Sequence, residues 1–310
     1  MAGCLIVSGL ISPASAAVLV YEGFDYALAS GTSMNGITSD AAGLSGDYSL
    51  STSSSGTRSV NYSTQNLTFG PNYLPSTGGS IYLSASGTVG QNPYAVLSVA
   101  ANAGTVTGTV YNSYLVQFTS LSDAVIASGG SAGPAILTHR LQDGSVRLQN
   151  IAHQATGPST DNRPAVGYGT ANHISGSGTS GTLALDTTYL VLARFTNVGL
   201  AGGGTADQFV FTLNGYNAWL AAGGQEASLG TFAVFTSTSS RDSLVSFSGT
   251  FQFGVAGKGG AESAYLDELR WGTQLSDVIS MAPVPEPSAA LLLLGALGIW
   301  AGRPRKKLFS

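Results

Sequence analysis

Charge is scarce in this chain of 310 residues: only 9% are Asp, Glu, Lys or Arg, against about a quarter in ordinary soluble domains. Lysine is nearly missing, with Lys258 the only one before residue 306. Between Val18 and Val284 stand 8 basic and 15 acidic residues, a net of −7. Such a composition has no electrostatic footprint for nucleic acid and no attraction of its own for anionic lipid. Cysteine occurs once, at Cys4, which excludes a disulfide framework and a thiolate metal site. A domain this large can build an adequate core without disulfides. Helical amphipathic periodicity is not found between Val18 and Ser280, and no fixed repeat argues for a solenoid or propeller.

What is present is apolar and small. Hydrophobic residues make up 43% of the chain and glycine numbers 42. Low charge with high apolar content is the reverse of a disordered composition. The expectation is a folded core joined by long Ser/Gly/Thr-rich connections, with residues 29–60 and 155–182 read as loops.

The two ends differ from the middle. Met1 to Ala17 has a short apolar run, Leu5 to Ile11, then Pro13 and Ala14-Ser15-Ala16. Small residues at that spacing suit a signal-peptidase site, although no Lys or Arg precedes the run. The competing reading is a buried first strand. At the other end, Pro285-Glu286-Pro287 is stiff and extended, because each proline fixes its own φ and restrains its neighbour. Ala289 to Gly302 is uncharged and apolar, and Arg303, Arg305, Lys306 and Lys307 close the chain. That run is shorter than the ~20 residues of an ordinary span. The basic cluster would stay cytoplasmic, leaving the large domain outside.

These last 27 residues resemble the PEP-CTERM sorting signal of Gram-negative bacteria, with all three parts in order. The resemblance implies recognition and cleavage by an exosortase at Pro285, Glu286 and Pro287, with Ser288 beside them. It also implies inner-membrane anchoring before processing, then release to the cell surface or an exopolysaccharide and biofilm matrix. The competing reading is a plain anchor with an incidental Pro-Glu-Pro.

Between the ends, period-two alternation recurs. Ile81, Leu83 and Ala85 share one face, as do Tyr114, Val116 and Phe118, and Phe251, Phe253 and Val255. Phe209, Phe211 and Leu213 alternate up to Asn214-Gly215, a turn signal. Tyr189 to Phe195 is apolar on both faces until Arg194, which predicts a central strand. Asp143-Gly144 fits a two-residue hairpin turn. That register pairs Leu141 with Val146 and Arg140 with Arg147, so one face of the hairpin should be wet. Many strands and no helices predict an all-β antiparallel sandwich over 18–283, between a signal peptide at 1–17 and a sorting tail with a short transmembrane helix at 284–310.

Val20-Tyr21-Glu22-Gly23-Phe24-Asp25-Tyr26 near the start and Tyr265 to Thr273, followed by Ser276-Asp277-Val278, near the end resemble concanavalin A-like, LamG-type jelly rolls. In that family the first and last strands lie together.

The chemistry-bearing residues are sparse. Hydrolases on this fold place Glu, Asp and Glu at alternate positions of one strand, and no such triplet occurs. Asp267 and Glu268 are adjacent, so alternation sends them to opposite faces, with Glu268 pairing Arg270 and Asp267 bonding near the sandwich edge. Glu262 is read as lying across a loop. His139, His153 and His173 lack ligand spacing. There is no nucleophile elbow, and Gly202-Gly203-Gly204 does not open a helix. Asp25, Asp161, Asp207 and Asp242 are scattered candidates for calcium. Tyr73, Tyr94, Tyr168, Tyr216 and Trp219 are candidates for stacking on sugars. No cofactor is expected. The leading reading is a non-catalytic exported surface or matrix protein. A carbohydrate-binding, lectin-like module stands second, and a divergent polysaccharide hydrolase or lyase third.

Overall fold

Alternating apolar residues set the strands. In the computed structural model, the described residues are 18–281, except 54, 88–92, 122–136, 144–145, 156–161, 170–182, 242–246, 248 and 257–260. Among them the strands form two antiparallel sheets. The larger contains β1 (Val18–Glu22), β3 (Thr57–Ser63), β4 (Ser80–Ser86), β6 (Gly108–Ser120), β10 (Thr188–Val198), β11 (Gly204–Phe211), β12 (Phe235–Arg241) and β14 (Ala261–Gly272). Its order is β12-β11-β10-β6-β14-β4-β3, with β1 also paired to β14. The smaller has the order β2 (Leu44–Thr52), β5 (Tyr94–Ala101), β13 (Thr250–Ala256), β7 (Leu137–Asp143), β8 (Val146–Ala155) and β9 (Asn162–Gly169). The first and last strands are indeed neighbours, with Val20 opposite Trp271 and Glu22 opposite Leu269. The all-β antiparallel sandwich is what the sequence predicts.

The space between the sheets is filled by alternate residues of both. Val191, Ala193 and Phe195 of β10 meet residues such as Leu97, Leu148 and Phe251 in one buried cluster. Trp271 sits at its centre, stacked on Phe195 at 5.7 Å and edge-packed on Phe247 at 5.5 Å. A polar chain also crosses this interior. Asn150 Nδ2 donates to Asn112 Oδ1 at 2.7 Å, and Gln208 Nε2 donates to Asn150 Oδ1 at 2.7 Å. All three residues are buried, so these bonds satisfy amide groups cut off from water, although Gln208 Oε1 has no partner among the described residues.

The outer face of the larger sheet is also buried, which is why β10 is apolar on both sides. Leu190 and Leu192 point into a second cluster with Leu67, Phe69, Tyr73, Tyr216, Trp219 and Val278. This layer comes from residues 67–77, from α1 (Leu213–Ala221) and from residues 275–281. Helix α1 overturns the turn expected at Asn214-Gly215. Thr212 caps it by accepting from the Gly215 N–H at 3.2 Å. Tyr216 and Trp219, three apart and thus on one face, are fully buried. Gly215 is glycine for closeness, since a Cβ there would lie 2.6 Å from the Phe232 carbonyl oxygen. A nine-residue helix is marginal alone, so this packing holds it. A second short helix, α2 (Leu229–Phe232), follows.

Three further expectations are corrected. Residues 29–60 are not one loop: they contain β2 and the start of β3, and residues 31–39 pair with both. Met34 N–H bonds the Val60 carbonyl at 3.1 Å, and Gly36 N–H bonds that of Tyr48 at 2.7 Å. Backbone bonding thus covers edges of both sheets, which small polar side chains permit. Within 155–182, residues 162–169 form β9. The β7–β8 hairpin pairs Asp143 with Val146 and Leu141 with Leu148, so Asp143 belongs to the strand rather than the turn. Arg140 then faces Gln149, and Arg147 faces Gln142, which removes the like-charge pair. Leu148 to Ala152 is buried on both faces, so this stretch has no wet side.

Candidate functional site

Two places concentrate polar groups: a buried carboxyl cluster on the β1/β14 seam, and a groove beside α1. The cluster starts from a bulge. The β6 register shifts between Asp267 and Arg270, and Glu268 has a left-handed φ of 55°. Strict alternation is lost there, so Asp267 and Glu268 do not part to opposite faces. Both bond the same segment, residues 67–77. Leu67 N–H donates to Asp267 Oδ2 at 2.9 Å, and Thr77 N–H donates to Glu268 Oε1 at 3.0 Å. Arg270 Nη2 donates to the Pro75 carbonyl at 3.2 Å and to Glu268 Oε2 at 2.6 Å, the ion pair the sequence suggests. The Arg270 guanidinium also lies 4.1 Å from the Tyr21 ring centroid. Asp267, expected near the sandwich edge, is instead fully buried on an interior strand, where the neighbour of β14 changes from β4 to β1.

Glu22, from β1, completes the cluster. It is buried and accepts from Phe24 N–H at 2.6 Å, from the Tyr26 hydroxyl at 2.8 Å and from the Tyr48 hydroxyl. Burial pushes all three carboxyls up from their ordinary values, Asp267 to about 8. For Asp267 the charges of Glu268 and Glu22 add to burial, while the Leu67 and Glu268 N–H groups oppose it. For Glu268 the opposing Arg270 charge does not cancel burial. Chemically the cluster is occupied: its carboxyl oxygens are used to tie strands and the 67–77 segment together. Glu262 lies on β14 itself, not across a loop, and is buried. Asp277 accepts from Thr273 and Gln274 N–H, both at 2.9 Å, and so caps the turn after β14.

The second place is an open groove of about 510 Å³. Thr68 and Phe69 form one wall, Asp186 and Thr188 another, and Leu213 and Asn214 at the start of α1 the third. Among the described residues, Asp186 is the only charged one lining it. Its backbone is fixed in the left-handed region, φ 54°, with its N–H on the Phe118 carbonyl at 2.8 Å.

The remaining sequence candidates disperse. Tyr73, Tyr216 and Trp219 are core residues of the outer layer, and Tyr94 is 40% exposed. The side chain of Tyr168 lies outside the described residues. Asp207 pairs with Arg194 at 2.7 Å, while Asp161 and Asp242 fall outside the described residues. His139 and His153 lie on β7 and β8 with undescribed side chains, and His173 is outside. Among the described residues no group of three or more His, Cys, Asp or Glu could hold a metal ion, and no helix is long and apolar enough to cross a membrane. Pro285, Glu286, Pro287, the 289–302 run and Arg303, Arg305, Lys306 and Lys307 lie outside the described residues, as does 1–17. Glu22 and the groove are what sequence reading missed. Glu22 was visible only as part of the opening motif, and the groove joins residues 68–69 to 186–188 and 212–214, both more than 100 residues further along the chain.

No family model matches the chain, and no curated protein matches it. Among solved structures, the chain is similar to an endo-β-1,4-glucuronan lyase from the fungus Trichoderma reesei, with a TM-score of 0.39, 10% identity, and coverage of 75% of this chain and 94% of that one. Peanut lectin aligns with a TM-score of 0.36 and 10% identity over 74% of this chain and 98% of the lectin. The seed lectin of Lotus tetragonolobus gives 0.35 and 9% over 78% and 96%. At these scores and identities the similarity assigns the chain neither a family nor a ligand.

Proposed function

We propose that this is a non-catalytic exported protein, delivered to the cell surface or extracellular matrix through its C-terminal tail. The observation that carries the reading is the tail itself: Pro285-Glu286-Pro287, an apolar run to Gly302, and a basic end, in that order. An exosortase would recognise the tripeptide, and signal peptidase would remove residues 1–17. The domain supports a non-catalytic role, because the buried carboxyls Glu22, Asp267 and Glu268 are engaged by backbone, tyrosine and arginine donors. Replacing Pro285, Glu286 and Pro287 together by alanine, in the native host, should shift the protein from the released fraction to the membrane fraction. Unchanged release would overturn the sorting reading.

A second reading, carbohydrate binding by the domain, is favoured by one observation: the groove beside α1, whose lining combines threonine hydroxyls and the Asn214 amide with the apolar Phe69 and Leu213.

A further inference from the structure

We propose that the groove between residues 68–69, the 186–188 turn and the start of α1 holds a neutral saccharide unit. In this site Asp186 and Asn214 would bond its hydroxyls, and Leu213 would pack on its C–H face. The proposal rests on the second reading above and gives it a site and a ligand class.

The fold leaves some polar side chains unused. Most polar side chains around the cluster on β14 are consumed by internal hydrogen bonds. In the groove the pattern reverses. Thr212 is spent on the helix cap, and Thr187 on the Leu185 carbonyl. Among the described residues, the side chains of Thr68, Asp186, Thr188 and Asn214 take no part in such bonds. The first helical residues, Leu213 and Asn214, also carry N–H groups that have no partner within the helix. The lining therefore offers a carboxylate acceptor, amide and backbone donors, and hydroxyls that do either.

That mixture matches a polyhydroxylated ligand, whose hydroxyls each donate and accept and whose ring faces are patches of C–H. Leu213 supplies the matching apolar contact, since it is 38% exposed at the groove. An anion is disfavoured. The start of a helix attracts negative charge, but Asp186 brings its own, within a domain of net charge −7. The groove's size lies within the ~300–1,000 Å³ usual for small-molecule sites.

The walls are placed from beneath. Phe69 packs on Tyr73 at 5.7 Å and on Tyr216 of α1 at 5.6 Å, joining two walls through the outer core. Leu67, beside the Thr68 wall, is tied to Asp267. Asp267 is thus a positioning residue for the site, not a group that would touch ligand.

The test is saturation-transfer NMR on the full chain with cellohexaose, maltohexaose and mannohexaose, and with hexagalacturonate as the anionic comparison. Transfer to at least one neutral probe is expected. Asp186→Gly, which accepts the left-handed backbone at 186, combined with Asn214→Ala should raise its Kd about tenfold or more, as loss of two hydrogen bonds predicts. Both residues are exposed, so an unchanged thermal midpoint will confirm that the variant folds. If the double variant binds normally, if Tyr94→Ala abolishes binding in its place, or if hexagalacturonate binds best, this site is wrong while carbohydrate binding survives. If none of the four probes shows transfer, the second reading falls together with the site.

Discussion

The two faces of the larger sheet are buried by different means. The inner face meets the second sheet, and its cluster is dominated by interdigitated aliphatic and aromatic residues around Trp271. The outer face is covered by a nine-residue helix and two irregular segments. Those covers have little strand pairing of their own, so they are pinned by polar side chains. Asp267, Glu268 and Arg270 hold residues 67–77, and Ser113 and Tyr216 hold the Val278 and Ser280 carbonyls at 2.6 and 2.7 Å. Area burial holds both layers, and in the outer one a handful of directional bonds also place the irregular segments.

That contrast predicts a graded response to substitution. Trp271→Ala should cost the most, about 3–5 kcal/mol, because it empties a close-packed interior. Urea unfolding should show a lower midpoint for the whole molecule. Asp267→Ala should cost about 1–3 kcal/mol, since the buried Leu67 and Glu268 N–H groups lose their acceptor. Its signature should be regional: hydrogen exchange rises over residues 67–77 while β10 and β13 stay protected. Equal loss of protection in both layers would break the distinction.

The pH dependence sharpens it further. Burial raises Asp267 to about 8 from an ordinary 3.8. A raised carboxyl favours the folded state while protonated. Its contribution is therefore fully present below the unfolded value and is lost as pH rises through about 8. Glu22 and Glu268, also raised by burial, act in the same direction. The thermal midpoint should fall between pH 4 and pH 8, and Asp267→Asn should flatten that slope. The smallest effect is expected from Arg194→Ala. Its bonds to Asp207 and Glu226 are partly exposed, so a loss of at most about 1 kcal/mol is expected in the same unfolding assay.

How much was legible follows the same division. Burial by a second sheet imposes period two, so β4, β6, β10 and β13 could be read from Ile81, Val116, Val191 and Phe253 with their alternate neighbours. The pairing of the first and last strands came from the resemblance, not from periodicity. The outer layer leaves no period. Helix α1 buries only Tyr216 and Trp219, and Asn214-Gly215 gives a turn signal because Gly215 must admit the Phe232 carbonyl. The bulge at Glu268 hides the joint use of Asp267 and Glu268, since alternation assigns them to opposite faces. The groove is invisible in sequence, because Thr68, Asp186 and Asn214 meet only through the fold.

Export and sorting through the tail is the central claim, and intact mass tests it most directly. Protein recovered from the native envelope and medium should lack both residues 1–17 and the residues after the Pro285-Glu286-Pro287 region. A mass that retains Leu291 to Ser310 would contradict it, leaving a simple membrane anchor in place of a sorted surface protein.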